Sequence, residues 1–239
     1  MVDAPSTSDL RAALDDVALL GPFYAATANP AEVVDDSWRP LRALYTDPEP
    51  LATRIDQVAV ALGTEDQRVA ASITYQGLAA RLVSPLIALA AVHGLTATWS
   101  PDTLHWRRAV TGPWPLWESD ERPRAPLAVE LPDAVAEALV EPHLVALAVA
   151  VRAQVAVSER TLRGNAASAV VAAGRLVARS RPGYSSAAWI VVRHLLGTDG
   201  LADSGVFTTG WGFRRRSCCL YYRVPGGGVC GDCVLTGRQ

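Results

Sequence analysis

The chain has 239 residues, half of them hydrophobic, a formal net charge of −2 and a mean hydropathy of +0.16. That length and apolar content are enough to bury a full core, and the near-neutral balance gives no footprint for a nucleic-acid protein. All 22 basic residues are arginine, which excludes a phosphate-loop lysine and a Schiff-base lysine.

In chain order, the N-terminal run is acidic rather than basic and apolar, so no secretory leader is expected. Ser8 is placed as the N-cap of an amphipathic helix over residues 9–20. A second helical stretch is expected from Pro30 toward Trp38, a third over 51–62 and a fourth over 65–93. Pro85 is expected to kink or break the fourth, because proline removes a backbone donor, and Gly94 ends it. Residues 95–100 and 103–110 alternate apolar and polar around Pro101-Asp102 and predict a β-hairpin. Five prolines mark residues 111–132 as a connector, with short edge strands at 116–117 and 127–130. Helices resume over 132–157 with a break near Pro142, over 165–179 with Asn165 as N-cap, and over 185–196. Residues 207–213 predict one short strand. The most apolar stretch, 143–157, is interrupted by Arg152 and Gln154 and is too short to span a bilayer.

The expected fold is therefore α+β and mostly helical, with a small antiparallel sheet and a cysteine-rich C-terminal segment. Its parts are an N-terminal helical lobe with a hairpin (1–110), the connector (111–132), a second helical lobe (133–213) and the cysteine segment (214–239). The four histidines, His93, His105, His143 and His194, read as structural residues.

The chemistry concentrates in that last segment. Every cysteine lies there, as Cys218, Cys219, Cys230 and Cys233. Pro225 and the run Gly226-Gly227-Gly228 supply a turn that can fold the second pair back onto the first. Four thiols gathered this way point to a tetrathiolate metal site. Spacing alone leaves three readings open. Disulfides would staple only a tail. Zinc favours two pairs at Cys-x2-4-Cys spacing, and only Cys230 and Cys233 have it. A two-iron cluster accommodates the adjacent pair better, since it offers two metal atoms. No Gly-x-Gly-x-x-Gly follows a strand and opens a helix, so no dinucleotide or flavin site is visible. Electrons then have to come from a separate donor, such as a ferredoxin or flavoprotein.

The pattern CC-x10-C-x2-C, within residues 215–235, resembles the siderophore-iron reductases, the FhuF-like ferric iron reductase family. Residues 72–94 and 163–178 are similar to that family more weakly. The resemblance implies a [2Fe–2S] cluster held by Cys218, Cys219, Cys230 and Cys233. It further implies one-electron reduction of an Fe(III)-siderophore in the cytoplasm to release Fe(II). Competing readings are an iron–sulfur electron carrier, a redox or iron sensor, or a siderophore-binding protein with structural zinc. Candidate substrate-binding residues are Arg214, Arg215, Arg216 and Trp211 near the cysteines. The resemblance adds Arg81, with Ser84 beside it. The expected localisation is cytoplasmic, with no transmembrane segment and at most loose association with the inner face of the membrane.

Overall fold

The computed structural model describes residues 7–33, 35–109 and 111–236. In chain order these form α1 (Thr7–Ala18), β1 (Ala26–Thr27), β2 (Arg39–Pro40), α2 (Leu41–Thr46), α3 (Pro48–Leu62) and α4 (Gln67–His93). Then come β3 (Leu104–Trp106), β4 (Leu116–Glu118), α5 (Leu131–Leu139), a π-helical turn (Val140–Val145), α6 (Ala146–Gln154), α7 (Glu159–Ser180) and α8 (Ser185–Leu195). β5 (Gly205–Phe207) and β6 (Phe213–Arg215) close the regular structure. The fold is α+β and mostly helical, as the sequence predicts.

α4 is the central element. Asp66 caps it by accepting from the Arg68 amide, and Gly94 ends it in the left-handed conformation. It runs through Pro85 as one helix, so of the kink or break that the sequence predicts there the break does not occur. Every residue from Arg81 to Ala91 is buried. Packing on all sides outweighs the ~3 kcal/mol that an interior proline costs a helix. The main partner of α4 is α7, across the proline-rich connector, and their small residues let the two helices approach closely. One buried apolar cluster extends from Leu10 in α1 to Phe213 in β6.

Several local expectations are corrected. Ser8 lies inside α1, which begins at Thr7. The stretch after Pro30 is only a 3-10 turn, Pro30–Glu32. Residues 95–100 form no hairpin with 103–110; Thr96 makes an isolated bridge to Arg124. β3 pairs instead with β4, Trp106 opposite Leu116, inside a sheet of order β1–β4–β3–β2. The buried stack of Trp106 on Trp114, 4.5 Å apart, sets that pairing. One pair in the sheet, β1 with β4, is parallel. Residues 127–130 are not a strand, and the break near Pro142 is the π-turn. Residues 207–213 are not one strand but the turn that joins the end of β5 to the start of β6, which pair antiparallel. Val110, at the end of the expected hairpin, lies outside the described residues.

α4 and the run Leu131–Gln154 are long and apolar enough to cross a membrane, by length and composition. More than half of each apolar window is buried inside the fold, as in the core helices of a folded domain. The histidines are held structurally: His93 pairs with Asp16 at 2.8 Å and His194 with Asp133 at 2.9 Å. His105 meets the Thr103 carbonyl, and His143 lies between Tyr45 and the Trp99 carbonyl.

Candidate metal centre

β6 ends at Arg215, and the chain leaves the sheet before the first cysteine. Cys218 and Cys219 lie outside any strand, so their side chains are not forced to opposite faces. Leu220 follows at φ +69°, and a 3-10 turn, Tyr221–Arg223, turns the chain. Gly226 and Gly228, at φ +71° and +69°, complete the return to Cys230. A turn closed by the Cys233 amide on the Cys230 carbonyl carries the second pair. All four thiols are free of disulfides; Cys219 and Cys233 are buried, Cys218 and Cys230 half-buried.

Backbone amides already point at sulfur. The Leu220 amide donates to Cys218 Sγ and the Leu235 amide to Cys233 Sγ, both at 3.3 Å. Such bonds stabilise thiolates. Cys219 and Cys230 meet through a thiol–thiol hydrogen bond. That bond, helped by the Tyr221 amide and the Arg215 charge and opposed by burial, pulls the Cys219 thiol down to about 6. The Cys230 thiol, its donor, is pushed up. Cys219 and Cys230 are thus the pair of cysteines brought into mutual interaction. Among the described residues no group of three or more His, Cys, Asp or Glu side chains is placed to hold a single metal ion. A two-iron cluster asks for two thiolates at each iron, not four around one point.

The ground beneath the cysteines is a buried polar network that the sequence reading missed. Arg215 is 1% exposed. It donates to Asn165 Oδ1 and, at 3.3 Å, to the Thr161 carbonyl. The Asn165 amide donates to the Ser72 carbonyl at 2.7 Å and to its hydroxyl oxygen at 2.9 Å. Ser72 in turn donates to the Cys219 carbonyl at 2.8 Å. Asn165 is thus not an N-cap: α7 begins six residues earlier, at Glu159, and Asn165 is fully buried within it. Gly164 is where the segment meets α7, since a Cβ there would collide with Ser217 Oγ. Arg223 adds an outer tie, to Asp66 at 3.0 Å. Both α4 and α7 therefore turn their N-terminal ends, the positive ends of their dipoles, toward the cysteine segment.

The Arg215 guanidinium decides whether an anionic group fits. Its Nε and Nη1 are buried with no partner among the described residues, and so is Ser217 Oγ. A buried cation with unmatched donors costs several kcal/mol unless an anion answers it. A dianionic cluster held by the nearby cysteine sulfurs would supply that answer.

Residues 215–235 match the FhuF 2Fe-2S C-terminal domain. The matched stretch contains all four cysteines and begins at the buried arginine. Its cofactor is a [2Fe–2S] cluster, and the free thiols and orphaned Arg215 donors fit that group. No curated protein matches the chain. The match points toward the ferric-siderophore reductases.

The other candidate residues fall in different places. Arg214 is exposed on β6, and among the described residues its side chain has no partner. Arg216 is exposed and pairs with Asp203 at 2.9 Å. Arg215 is too deep to touch a substrate. Trp211 is half-buried, edge-on to Trp189 with ring centroids 5.0 Å apart, and lines a shallow apolar groove with Phe207 and Ile190. Arg81 is buried and donates to the carbonyls of Trp114, Phe23 and Ala25. It lies nine residues along α4 from Ser72, about 13 Å at 1.5 Å per residue. Its neighbour Ser84 donates to the Ala80 carbonyl.

Proposed function

We propose that this chain is a ferric-siderophore reductase in which Cys218, Cys219, Cys230 and Cys233 hold the [2Fe–2S] cluster, two at each iron. The observation that carries the reading is the FhuF 2Fe-2S match over residues 215–235, set on a buried arginine whose free donors call for an anion. Bound there, the cluster supplies a centre that takes up and gives out one electron at a time. The net reaction delivers one electron from a separate reduced ferredoxin or flavoprotein to Fe(III) in a siderophore. Siderophore oxygens are hard ligands, so their grip weakens on Fe(II), which is released to softer ligands in the cytoplasm. The chain's own task is then limited. Arg215, the Leu220 and Leu235 amides and two helix N-termini stabilise negative charge on the sulfurs. The half-buried Cys218 and Cys230 keep one side of the site near the surface.

Anaerobically purified protein should show the visible absorption of a [2Fe–2S] centre, bleach on reduction by dithionite, and recover when a ferric siderophore is added. One Fe(II), trapped by a ferrous chelator, should appear per cluster reoxidised. A reduced protein that ferric chelates never reoxidise, but that passes its electron to another redox protein, would make the chain a carrier and overturn this reading. Stoichiometric zinc without visible absorption would overturn the cluster as well.

A further inference from the structure

Beside the cysteine segment lies a polar cavity of about 380 Å³, lined by Arg160, Arg163, Asp203, Ser204, Arg216 and Ser217, with Ala202 at its edge. Ser217 is a wall of this cavity and Cys218 is the next residue. Arg160 and Arg163 stand at i and i+3 on the first turns of α7, so they share a face. Among the described residues neither side chain has a hydrogen-bond, ion-pair or ring partner. The third cation, Arg216, pairs with Asp203, whose side chain is 86% exposed. Three guanidiniums thus face one solvated carboxylate. Ser204 and Ser217 add buried hydroxyls with no partner among the described residues. Like charges held together in a concavity repel one another, and a bound anion relieves that cost. The volume is that of a small-molecule site rather than of a flat protein-docking face.

We propose that this pocket selects ferric chelates of net negative charge, gripping their anionic carboxylate or catecholate oxygens with Arg160, Arg163 and Arg216. The inference rests on the reductase reading and deepens it: it gives the substrate a charge and a place. Guanidinium donors suit such oxygens because their planar fork can engage two at once. The α7 N-terminus adds positive potential from the same side. The pocket discriminates by charge, so a neutral chelate of similar shape gains little from it.

The test separates binding from electron transfer by using gallium(III), which matches Fe(III) in size and charge but takes no electron under these conditions. The cluster-loaded protein is titrated calorimetrically with gallium held by a hexadentate tris-catecholate, net 3−, and with gallium held by a neutral hexadentate tris-hydroxamate. The wild type should bind the anionic complex more tightly, with an advantage that shrinks as salt rises from low to high ionic strength. The variant Arg160→Gln/Arg163→Gln should lose roughly five- to thirtyfold in affinity for the anionic complex, as expected for two screened charge contacts, and less than about twofold for the neutral one. Arg160→Lys/Arg163→Lys should keep most of the preference and controls for folding. Equal binding of both complexes by the wild type, no binding of either, or an unaltered double glutamine variant would overturn the proposal. So would a double variant that binds gallium chelates normally but docks an acidic electron-donor protein poorly. If charge-selective gallium binding holds while ferric chelates fail to reoxidise the reduced protein, the pocket stands and the reductase reading falls.

Discussion

The helical core and the cysteine segment are stabilised by different means. α4 is buried on nearly all sides and α7 over most of its length, and the apolar cluster they anchor reaches from Leu10 to Phe213. After β6 the chain adds nothing to that cluster. Its buried apolar residues, Cys219, Val224 and Cys233, lie outside it, and among the described residues its regular structure is one 3-10 turn. What fixes the segment is polar: Arg215 on Asn165 and Thr161, Ser72 on the Cys219 carbonyl, Arg223 on Asp66. A core of this kind holds its shape through packing. A segment of this kind depends on satisfied charges, which makes it the part most sensitive to its cofactor.

The largest expected effect breaks the two regions apart. Cys230→Ser should abolish or severely alter the visible absorption of the cluster while leaving helical circular dichroism nearly unchanged. Limited proteolysis should then cut between Arg216 and Thr236 and spare the core. Global loss of helicity in this variant would show that the cluster holds the whole fold together.

Asn165 sharpens the comparison, because it belongs to the core and serves the segment. Asn165→Ala removes the side-chain acceptor of a buried guanidinium, leaving Arg215 with the Thr161 carbonyl alone. A hydrogen bond to a buried charge is worth about 1.5–3 kcal/mol. The loss should appear both in the urea midpoint and as faster cluster loss to a chelator. A variant as stable as the wild type that also keeps its cluster would show that the network carries no load.

How much of this was legible in the sequence divides along the same line. The helices were readable because α3 and α8 carry apolar periodicity and α4 is a long apolar run with a clear end at Gly94. The cysteine motif was readable because thiols are rare and local. The hairpin over residues 95–110 was misread because strand pairing is set by partners distant in sequence, here Leu116 and the Trp106–Trp114 stack. Asn165 reads as a cap in the sequence because asparagine favours caps. Its helix had already begun, and a lone asparagine among alanines on a buried face was the available signal of a polar network. Arg214, Arg215 and Arg216 look alike in sequence. β6 separates them, because alternate residues face opposite ways and only Arg215 turns inward.

That separation yields a third, smaller effect. Arg215→Gln should lower the midpoint potential of the cluster, since it removes a buried positive charge that favours the more negative reduced state. Arg214→Gln should leave the potential within error. A unit charge about 10 Å from a centre, at an effective dielectric of about 20–40, amounts to ~1 kcal/mol, or on the order of tens of millivolts for one electron. Voltammetry of the two variants reads this directly, and equal shifts would mean that burial on β6 does not set the field at the cluster.

The smallest expected effect lies in the core layer, where two buried groups grip one residue. Trp99 sits at φ +48°; its amide donates to Glu118 and its carbonyl bonds to His143. Burial pushes the Glu118 carboxyl up to about 7 from 4.5, and pushes His143 down to about 4 from 6.5. Between pH 4.5 and 7 the folded protein holds an extra proton on Glu118, so that group makes stability fall as pH rises. Between pH 4 and 6.5 the unfolded chain holds an extra proton on His143, so that group makes stability rise with pH. Over about pH 4.5–6.5 the two slopes, each on the order of 1 kcal/mol per pH unit, oppose each other, and the wild type should melt at nearly constant temperature. Glu118→Gln keeps the side chain's shape, gives up one of the two backbone amide bonds that the carboxyl oxygens accept, and removes one slope. Its melting temperature, followed by helical circular dichroism so that the cluster does not enter, should climb from pH 4.5 to 6.5 and then level off. A variant profile parallel to that of the wild type would mean that Glu118 does not carry the extra proton. A steep wild-type profile in the same window would place the pH sensitivity outside this clamp, with the cysteine segment the first region to test.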